Sequence, residues 1–441
     1  MNTHTSTYSS KIFTYEILDH LHVKLEIQQN PYGIPLEDLF LLAARMNKKR
    51  AFLFVSKVLG KHIPIKPIKG IQVGFVLAAR YLEIVMGRSP EILDALVSQF
   101  NSNKDVGRSD SFIDASHNPI VIGFAETATA LGHAFFEAFH EADFFHTTRE
   151  ILDGNDPTIT FEEEHSHATS HRVYVNQVLL ESDREIILVD DELTTGKTAI
   201  NIIRSIHARF PRKVYTVVSI LDWRSEENVK LFKELEQELG ITIYTVSLVK
   251  GTVTVIEDAK KDLPKGKTIQ ANTSQHVAFH PVPNPAPMLL DDNPIGRYTL
   301  YTGRFGLTSA ENKKATNWAK RIGTDLAKVR TGQRTLVLGS GEYMYLPMKI
   351  ASFMGENVFY QSTTRSPIYP VDKENYGAKN RYSFPNPEDL SIDHFVYNIA
   401  KNEYEDIFLF FERKVEENQL QKMLDELKNT NISDIKVVYL S

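Results

Sequence analysis

The residues best suited to chemistry form one continuous segment, Glu185 to Thr198, with the sequence EIILVDDELTTGKT. Its four apolar residues predict a buried strand. Asp190 and Asp191 follow at the C-terminal end of that strand, where open parallel sheets bind their ligands. The segment then turns into a predicted helix. The residues of this turn that could contact a ligand are Thr194, Thr195, Gly196, Lys197 and Thr198.

The two parts of this segment suit different chemical groups. Successive N–H groups of the turn and of the helix N-terminus can surround a phosphate dianion, and glycine lets the backbone approach it closely. Carboxylates repel a phosphate but accept hydrogen bonds from the hydroxyls of a neutral diol. We therefore predict a ribose 5-phosphate site, with the phosphate on the turn and the 2- and 3-hydroxyls on Asp190 and Asp191.

The segment allows two other interpretations. It could be a surface strand-to-helix turn whose aspartates only cap the helix in solvent. It could also be a nucleotide P-loop, because Gly196 to Thr198 match the end of that motif. The first glycine of a P-loop would fall at position 191, which is aspartate, so the P-loop is rejected.

The segment resembles the phosphoribosyl-pyrophosphate signature of type I phosphoribosyltransferases. That signature is an apolar strand, two aspartates, any two residues, Thr-Thr-Gly, any residue and Thr. The resemblance implies phosphoribosyl pyrophosphate as a substrate and Mg²⁺ as the cofactor. We expect the phosphates and hydroxyls of the substrate to hold most of the Mg²⁺ ligand positions, with a contribution from Asp190 and Asp191 left open.

The resemblance also implies a loop and a cation for the pyrophosphate. The turn Ala125, Glu126, Thr127 lies between a predicted strand and a predicted helix, and it could offer backbone N–H groups. Glu126 is unusual there unless it faces Mg²⁺ or the acceptor; the alternative is that it caps the helix. Arg149 ends the next strand, where the resembling enzymes place a basic residue, although an ion pair with Glu150 is the alternative.

Residues 153–172 are expected to form a mobile lid that excludes water during the reaction. His165 and His167 lie within it, and we predict that they are catalytic, as a general base or as donors to the departing pyrophosphate. The alternatives are a solvated polar loop and, least favoured, a transition-metal site. Lys57 and Lys61 flank a glycine-containing turn that either borders the site or is a plain basic turn.

Apolar segments of strand and helix length alternate from about residue 118 onwards. This alternation predicts an α/β fold with a parallel sheet and flanking helices, of the type I phosphoribosyltransferase kind. Before it, residues 35–49 predict a helix and residues 51–56 a buried strand.

A proline-rich stretch divides the chain. We predict a phosphoribosyltransferase domain with an N-terminal region at 1–255, a linker at 256–296 and a second, Rossmann-like α/β domain at 297–441.

The two predicted domains show a distant internal repeat. Residues 121–149 align with residues 337–365 at an offset of 337 − 121 = 216, without a gap. The second domain is therefore a candidate degenerate duplicate of the first, although chance could produce the match. The identical pairs are Val121 and Val337, Gly123 and Gly339, Glu126 and Glu342, Thr147 and Thr363, Thr148 and Thr364, and Arg149 and Arg365.

The second domain lacks its own ribose signature. Phe411 and Glu412 stand where Asp190 and Asp191 stand in the first domain, and no Thr-Thr-Gly follows. We therefore predict that it binds no phosphoribosyl pyrophosphate but could hold the acceptor or another anion. The residues predicted for that second site are Gly339, Gly341, Glu342, Thr364, Arg365 and Ser366.

Three motifs together extend the resemblance over nearly the whole chain: residues 123–129, residues 161–167 and the Thr-Arg-Ser-Pro of residues 364–367. They are similar to a bacterial phosphoribosyltransferase family whose C-terminal domain is named for that last motif (TRSP). The resemblance implies tellurite-resistance and stress gene clusters and the biosynthesis of a nucleoside-like compound.

Composition restricts the partners. The net charge is −6, and the 441 residues include no cysteine. We therefore expect no nucleic-acid partner, no membrane partner and no thiol chemistry. No signal-peptide pattern is visible, so the cytoplasm is the expected location.

The preferred hypothesis is an enzyme that transfers ribose 5-phosphate to, or removes it from, an unidentified base or nucleoside-like acceptor. The alternative is a non-catalytic sensor of a phosphoribosyl ligand. A homodimer is left open.

Overall fold

The computed structural model describes residues 11–18, 21–46, 51–102, 110–152, 154–162, 170–257, 274–289 and 297–441. Within these ranges, no helix has the length and apolar character needed to cross a membrane. The strands are β1 Lys11–Ile17, β2 Leu21–Gln29, β3 Phe40–Ala44, β4 Phe52–Ser56, β5 Ile120–Gly123, β6 Asp143–His146, β7 Ile159–Glu162, β8 Ser170–Val173, β9 Ile186–Leu193, β10 Val214–Asp222, β11 Thr242–Glu257, β12 His276–Val282, β13 Pro287–Leu289, β14 Arg297–Thr299, β15 Leu307–Thr308, β16 Thr335–Gly339, β17 Val358–Ser362, β18 Arg381–Asn386, β19 Asp389–Tyr397, β20 Asp406–Phe411 and β21 Asp434–Leu440.

The helices lie between these strands and cover the sheets. The α-helices are α1 Leu36–Leu39, α2 Pro67–Met86, α3 Leu93–Ser102, α4 Ala128–Phe136, α5 Gln177–Leu180, α6 Lys197–Arg209, α7 Glu226–Leu239, α8 Ser309–Ala327, α9 Tyr345–Ala351 and α10 Glu417–Leu427. Short 3₁₀ turns follow at Leu300–Thr302 and Lys428–Thr430.

The first sheet has the strand order β1-β2-β11-β10-β9-β5-β6-β15. Its five central strands, from β11 to β6, are parallel, and β9 is fully buried along Ile186 to Val189. The flanking strands β1, β2 and β15 pair antiparallel. The predicted α/β fold is confirmed, but this sheet is mixed rather than parallel throughout.

The second sheet is parallel in all its pairings and has the order β12-β21-β20-β16-β17. Its central strands correspond to those of the first sheet. Gly123 lies opposite Val189 in the first sheet, and Gly339 lies opposite Phe410 in the second. This register makes Phe411 and Glu412 the counterparts of Asp190 and Asp191, as the sequence comparison assumed.

Two local predictions need correction. Residues 35–49 were expected to be one helix, but α1 spans only Leu36–Leu39 and β3 follows at once. The apolar run 40–44 instead pairs antiparallel with β4, so its side chains pack as a hairpin. Within the stretch predicted as a linker, β12 and β13 are strands, and β12 is the edge strand of the second sheet. The division into domains at 1–255 and 297–441 stays a prediction.

The two halves share a hydrophobic core. Val337 of β16 belongs to the large cluster that also contains the core of the first sheet, whereas its neighbours Leu336 and Leu338 face a separate cluster under α10. This alternation is the ordinary period of a strand. A buried ion pair also joins the halves, because Lys349 Nζ lies 2.6 Å from a carboxylate oxygen of Glu137. The two sheets are thus held in one fixed arrangement.

Candidate active site

The predicted phosphate turn joins β9 to α6. Gly196 precedes the first residue of α6 with φ 75°, a left-handed conformation that favours glycine. A Cβ atom there would lie 2.5 Å from a ring carbon of Phe232. The turn therefore requires glycine for two reasons: its backbone conformation is left-handed, and a Cβ atom would overlap the Phe232 ring. Its N–H groups and the N-terminus of the 13-residue helix α6 are positioned to bind an anion.

Asp190 and Asp191 leave β9 side by side and are both half-buried. The N–H of Asp191 donates to Asp190 Oδ1 at 2.9 Å. Within the described residues, neither carboxylate has a basic partner. The removal of Asp190 from water, and then the charge of Asp191, raise the pKa of Asp190 well above its usual value. Two uncompensated acids at a strand end suit a ligand that brings hydroxyl donors or a cation.

The predicted pyrophosphate loop follows β5, the strand next to β9, and forms the neighbouring wall of the site. The Ala125 N–H donates to Thr147 Oγ1 at 2.9 Å, which ties the loop to the end of β6. Lys61 Nζ donates to Thr127 Oγ1 at 2.7 Å and lies 3.3 Å from Glu126. Lys61 thus borders the site, and this was one of the two alternatives left open for its basic turn.

Glu126 is 5% exposed and remains charged despite its burial. Burial would raise its pKa, but the charges of Lys61 and Arg149, together with a hydrogen bond from the Thr364 hydroxyl, hold that pKa at about 2. Glu126 is therefore a fixed anion in the wall. It is not a helix cap through its side chain, because its carboxylate bonds the other half of the chain.

These groups line one cavity of about 400 Å³. Its lining includes most of the residues predicted for the phosphoribosyl site, and Arg149 is among them. Among the described residues of that set, Lys197 does not line it. The predicted residues on its wall are Ala125, Glu126, Thr127, Arg149, Asp190, Asp191, Thr194, Thr195, Gly196 and Thr198.

The N-terminal region adds side chains that the sequence had not marked. Arg45, Phe54 and His62 line the same cavity. The Phe54 ring stacks on Trp223 with centroids 5.1 Å apart. Burial, and then the charge of Lys61, lower the pKa of His62 well below its usual value, so its imidazole is neutral. No local motif pointed to these residues, because their place depends on how the β3–β4 hairpin packs against Trp223 and against the second half of the chain.

The second half divides its predicted residues between two cavities. Arg365 and Ser366 line the cavity that contains Asp190. Gly341 and Glu342 line a separate cavity of about 470 Å³, which Arg365 also borders. Gly339 and Thr364 line neither of these two, and Thr364 instead donates to Glu126. The set predicted as one acceptor site is therefore not one site.

The predicted catalytic histidines His165 and His167 lie outside the described residues. The strands that flank them, β7 and β8, form an antiparallel hairpin. His171 follows that gap, is buried, and its Nδ1 lies 2.8 Å from Thr147 Oγ1. The base of the predicted lid is thus attached to the wall that carries Arg149.

A family model described as "Phosphoribosyl transferase" matches residues 39–252. One described as "TRSP domain C terminus to PRTase_2" matches residues 301–427. No curated protein matches the chain.

Solved structures with some similarity include two adenine phosphoribosyltransferases. The Trypanosoma brucei enzyme, in complex with AMP, pyrophosphate and ribose-5-phosphate, is 11% identical over 54% of this chain and 87% of its own, with a TM-score of 0.30. The Saccharomyces cerevisiae enzyme is 13% identical over 48% of this chain and 95% of its own, with a TM-score of 0.27.

Proposed function

Because the chain belongs to the family of phosphoribosyl transferases that carry a C-terminal TRSP domain, we propose that it transfers ribose 5-phosphate between pyrophosphate and an acceptor. The substrate is phosphoribosyl pyrophosphate. The bond from its C1 to the pyrophosphate oxygen breaks, a bond from C1 to the acceptor forms, and the acceptor loses a proton. The same site run in reverse splits the product with pyrophosphate.

One observation carries this proposal: the acidic pair, the phosphate turn and the pyrophosphate wall face one cavity. The turn at residues 194–198 binds the 5-phosphate through N–H groups and threonine hydroxyls. Asp190 and Asp191 accept hydrogen bonds from the ribose hydroxyls. Arg149 and Lys61 line the same cavity, so their positive charges offset the negative charge of the leaving pyrophosphate.

Mg²⁺ fits the donor set of this cavity. Asp190 and Asp191 offer carboxylate oxygens, the hard ligands that Mg²⁺ prefers, and a pyrophosphate substrate supplies more oxygens of the same kind. When bound, the ion would offset negative charge on the pyrophosphate. In this arrangement the aspartates orient the ribose, and Glu126 holds Lys61 beside the loop.

We place the acceptor under the β3–β4 hairpin rather than at Gly341 and Glu342, which line the other cavity. Phe54 offers an aromatic face there, and Arg45 and the neutral His62 offer polar groups. Such a lining suits a planar base with hydrogen-bonding edges. The acceptor class proposed here is therefore a heterocyclic base or a nucleoside-like compound.

The test is a titration followed by a screen. Calorimetry should detect binding of phosphoribosyl pyrophosphate that requires Mg²⁺, and a panel of purine and pyrimidine bases should then release pyrophosphate with at least one member. Wild-type protein that binds no phosphoribosyl pyrophosphate would refute the proposal. Binding without pyrophosphate release for any base would favour the alternative function, a sensor of a phosphoribosyl ligand.

A further inference from the structure

The internal repeat has a structural consequence that concerns the wall between the two cavities. Each half contributes a glutamate after its first repeated strand and a Thr-Arg pair after its second. These are Glu126 with Thr148 and Arg149 in the first half, and Glu342 with Thr364 and Arg365 in the second. In both halves, the preceding threonine accepts a backbone N–H from the glutamate's own loop, at 2.9 Å.

The glutamates do not bond the Thr-Arg pair of their own half. Glu342 Oε2 accepts from the Thr148 hydroxyl at 2.5 Å, and its Oε1 accepts from the Arg149 N–H at 2.9 Å. Glu126 does the same in the opposite direction, accepting from the Thr364 hydroxyl at 2.7 Å and from the Arg365 N–H at 3.3 Å. The pattern is reciprocal, so the halves are related as two subunits of a symmetric pair would be.

The exchange extends to the cavities. The first cavity is lined by Arg365, Ser366 and Pro367 from the second half. The second cavity is lined by Arg149, Glu150 and Ile151 from the first half. Each cavity is therefore lined in part by the residues that follow the Thr-Thr pair of the opposite half.

We infer that the second half completes the phosphoribosyl site: Glu342 is a positioning residue for Arg149, and Arg365 supplies part of the wall beside the pyrophosphate. This inference rests on the proposed function. The Glu342 carboxylate accepts hydrogen bonds from the Thr148 hydroxyl and from the N–H of the Thr148–Arg149 peptide. It therefore fixes the point from which the Arg149 side chain enters the first cavity, and charge-assisted bonds of this kind are the stronger ones.

The experiment is a double-mutant cycle on the full chain, with Mg²⁺-dependent binding of phosphoribosyl pyrophosphate as the readout. Glu342→Ala should raise the Kd roughly tenfold, the equivalent of about 1.4 kcal/mol. In an Arg149→Ala background, Glu342→Ala should add little, because residues that act through one another are not additive. Glu342→Gln keeps the shape of the side chain, and it replaces Glu342→Ala in the cycle if the alanine variant unfolds. Arg365→Ala should also raise the Kd, and Arg365→Lys should restore part of the affinity.

Asp389→Asn is the matched control, because Asp389 is an exposed acid of the second half that lines only the second cavity. It should leave the Kd unchanged. An equal effect of Glu342→Ala with and without Arg149, or no effect at all, would overturn the positioning role. An Arg365→Ala variant with wild-type affinity would remove Arg365 from the wall. These outcomes differ from failure of the proposed function, in which the wild-type chain itself binds no phosphoribosyl pyrophosphate and both proposals fall.

Discussion

The two cavities occupy equivalent places at the carboxyl ends of the two sheets, yet their charges are arranged in opposite ways. In the first, Asp190 and Asp191 lie beside each other without a basic partner among the described residues. In the second, their counterparts are Phe411 and Glu412. Glu412 accepts from Arg304 at 2.7 Å and from the Thr299 N–H at 3.1 Å.

The negative charge of Glu412 is balanced by positive side chains of the protein itself. Burial alone would lower the pKa of Arg304, but Glu412 and Glu150 raise it above its usual value. Arg413, next to Glu412, lies 2.7 Å from Glu150 and packs 4.6 Å from the centre of the Tyr298 ring. The second cavity thus contains internal ion pairs at the position where the first cavity contains the two aspartates. The first cavity retains unmatched charge, which is typical of a functional site.

The largest expected effect tests this contrast directly. Replacing both Asp190 and Asp191 with asparagine removes the acceptors proposed for the ribose hydroxyls. Each charge-assisted hydrogen bond contributes roughly 1.5–3 kcal/mol, so we expect the affinity for phosphoribosyl pyrophosphate to fall about 100-fold or more. Calorimetry measures the change. Unchanged affinity in a folded double variant would remove the aspartates from the ribose site.

The second cavity provides the next prediction. Glu412 and Arg304 are 2% and 3% exposed, so Glu412→Ala leaves a buried guanidinium without its nearest carboxylate. Breaking such a pair costs about 3–5 kcal/mol, and we expect that loss in the free energy of unfolding. Chemical denaturation measures it. The binding of phosphoribosyl pyrophosphate to the folded fraction should be unchanged; a large loss of affinity would mean that the second cavity also binds the substrate.

The sequence was sufficient for the parts of the site that are local in the chain. The strand, the acidic pair and the Thr-Thr-Gly turn are contiguous, so their order alone predicted that they would form one site, and they line one cavity. That phosphate and ribose bind there stays a prediction. The repeat at an offset of 216 likewise identified Phe411 and Glu412 as counterparts of the aspartates, and the strand register agrees. The α/β fold was predicted correctly from the alternation of strand-length and helix-length segments. The family was predicted correctly from the resemblance of short motifs, and its association with tellurite-resistance gene clusters stays a prediction.

What could not be predicted depends on packing between distant segments. The sequence predicts a helix at residues 40–44, but these residues form a strand that pairs with β4, the strand that carries Phe54. Leu42 and Ala44 of this strand also bond Gly377 and Tyr369 of the second half, so this side of the cavity depends on segments far apart in the chain. The repeat showed which residues correspond, but not that Glu126 and Glu342 bond the opposite halves. The alignment of the two repeats does not show which half each glutamate contacts, because the same residues could bond within one half or between the two halves.

A smaller effect is expected at two glycines, one lining each cavity. Gly196 and Gly341 both have positive φ, 75° and 52°. A left-handed conformation costs a non-glycine residue roughly 1–2 kcal/mol. At Gly196 a Cβ atom would also lie 2.5 Å from Phe232, whereas at Gly341 the nearest atom, on His394, would be 3.2 Å away.

Gly196→Ala should therefore lower the free energy of unfolding more than Gly341→Ala, and it should weaken phosphoribosyl pyrophosphate binding. Gly341→Ala should affect stability alone. Denaturation and calorimetry on both variants separate the two effects. Equal losses of affinity would contradict the assignment of the phosphate to the turn of the first half.

The smallest effect concerns the stability of the acidic pair itself. Because the pKa of Asp190 is raised in the folded protein, its ionised form is disfavoured there relative to the unfolded chain. Between the unfolded and the folded pKa, the native state binds more protons than the unfolded state. The free energy of unfolding therefore decreases as pH rises through that window, and it stays lower at neutral pH.

Asp190→Asn removes this titration and should make the protein more stable at neutral pH while weakening its ligand binding. We expect an increase in melting temperature of about 1 °C for each kcal/mol of repulsion relieved, because the entropy of unfolding grows with the length of the chain. The gain should disappear below the unfolded pKa of aspartate, near 3.9, where Asp190 is protonated in both states. Melting curves across pH measure this dependence. A variant less stable than wild type at neutral pH would show that Asp190 supports the fold, and the contrast with Glu412 would then lose its basis.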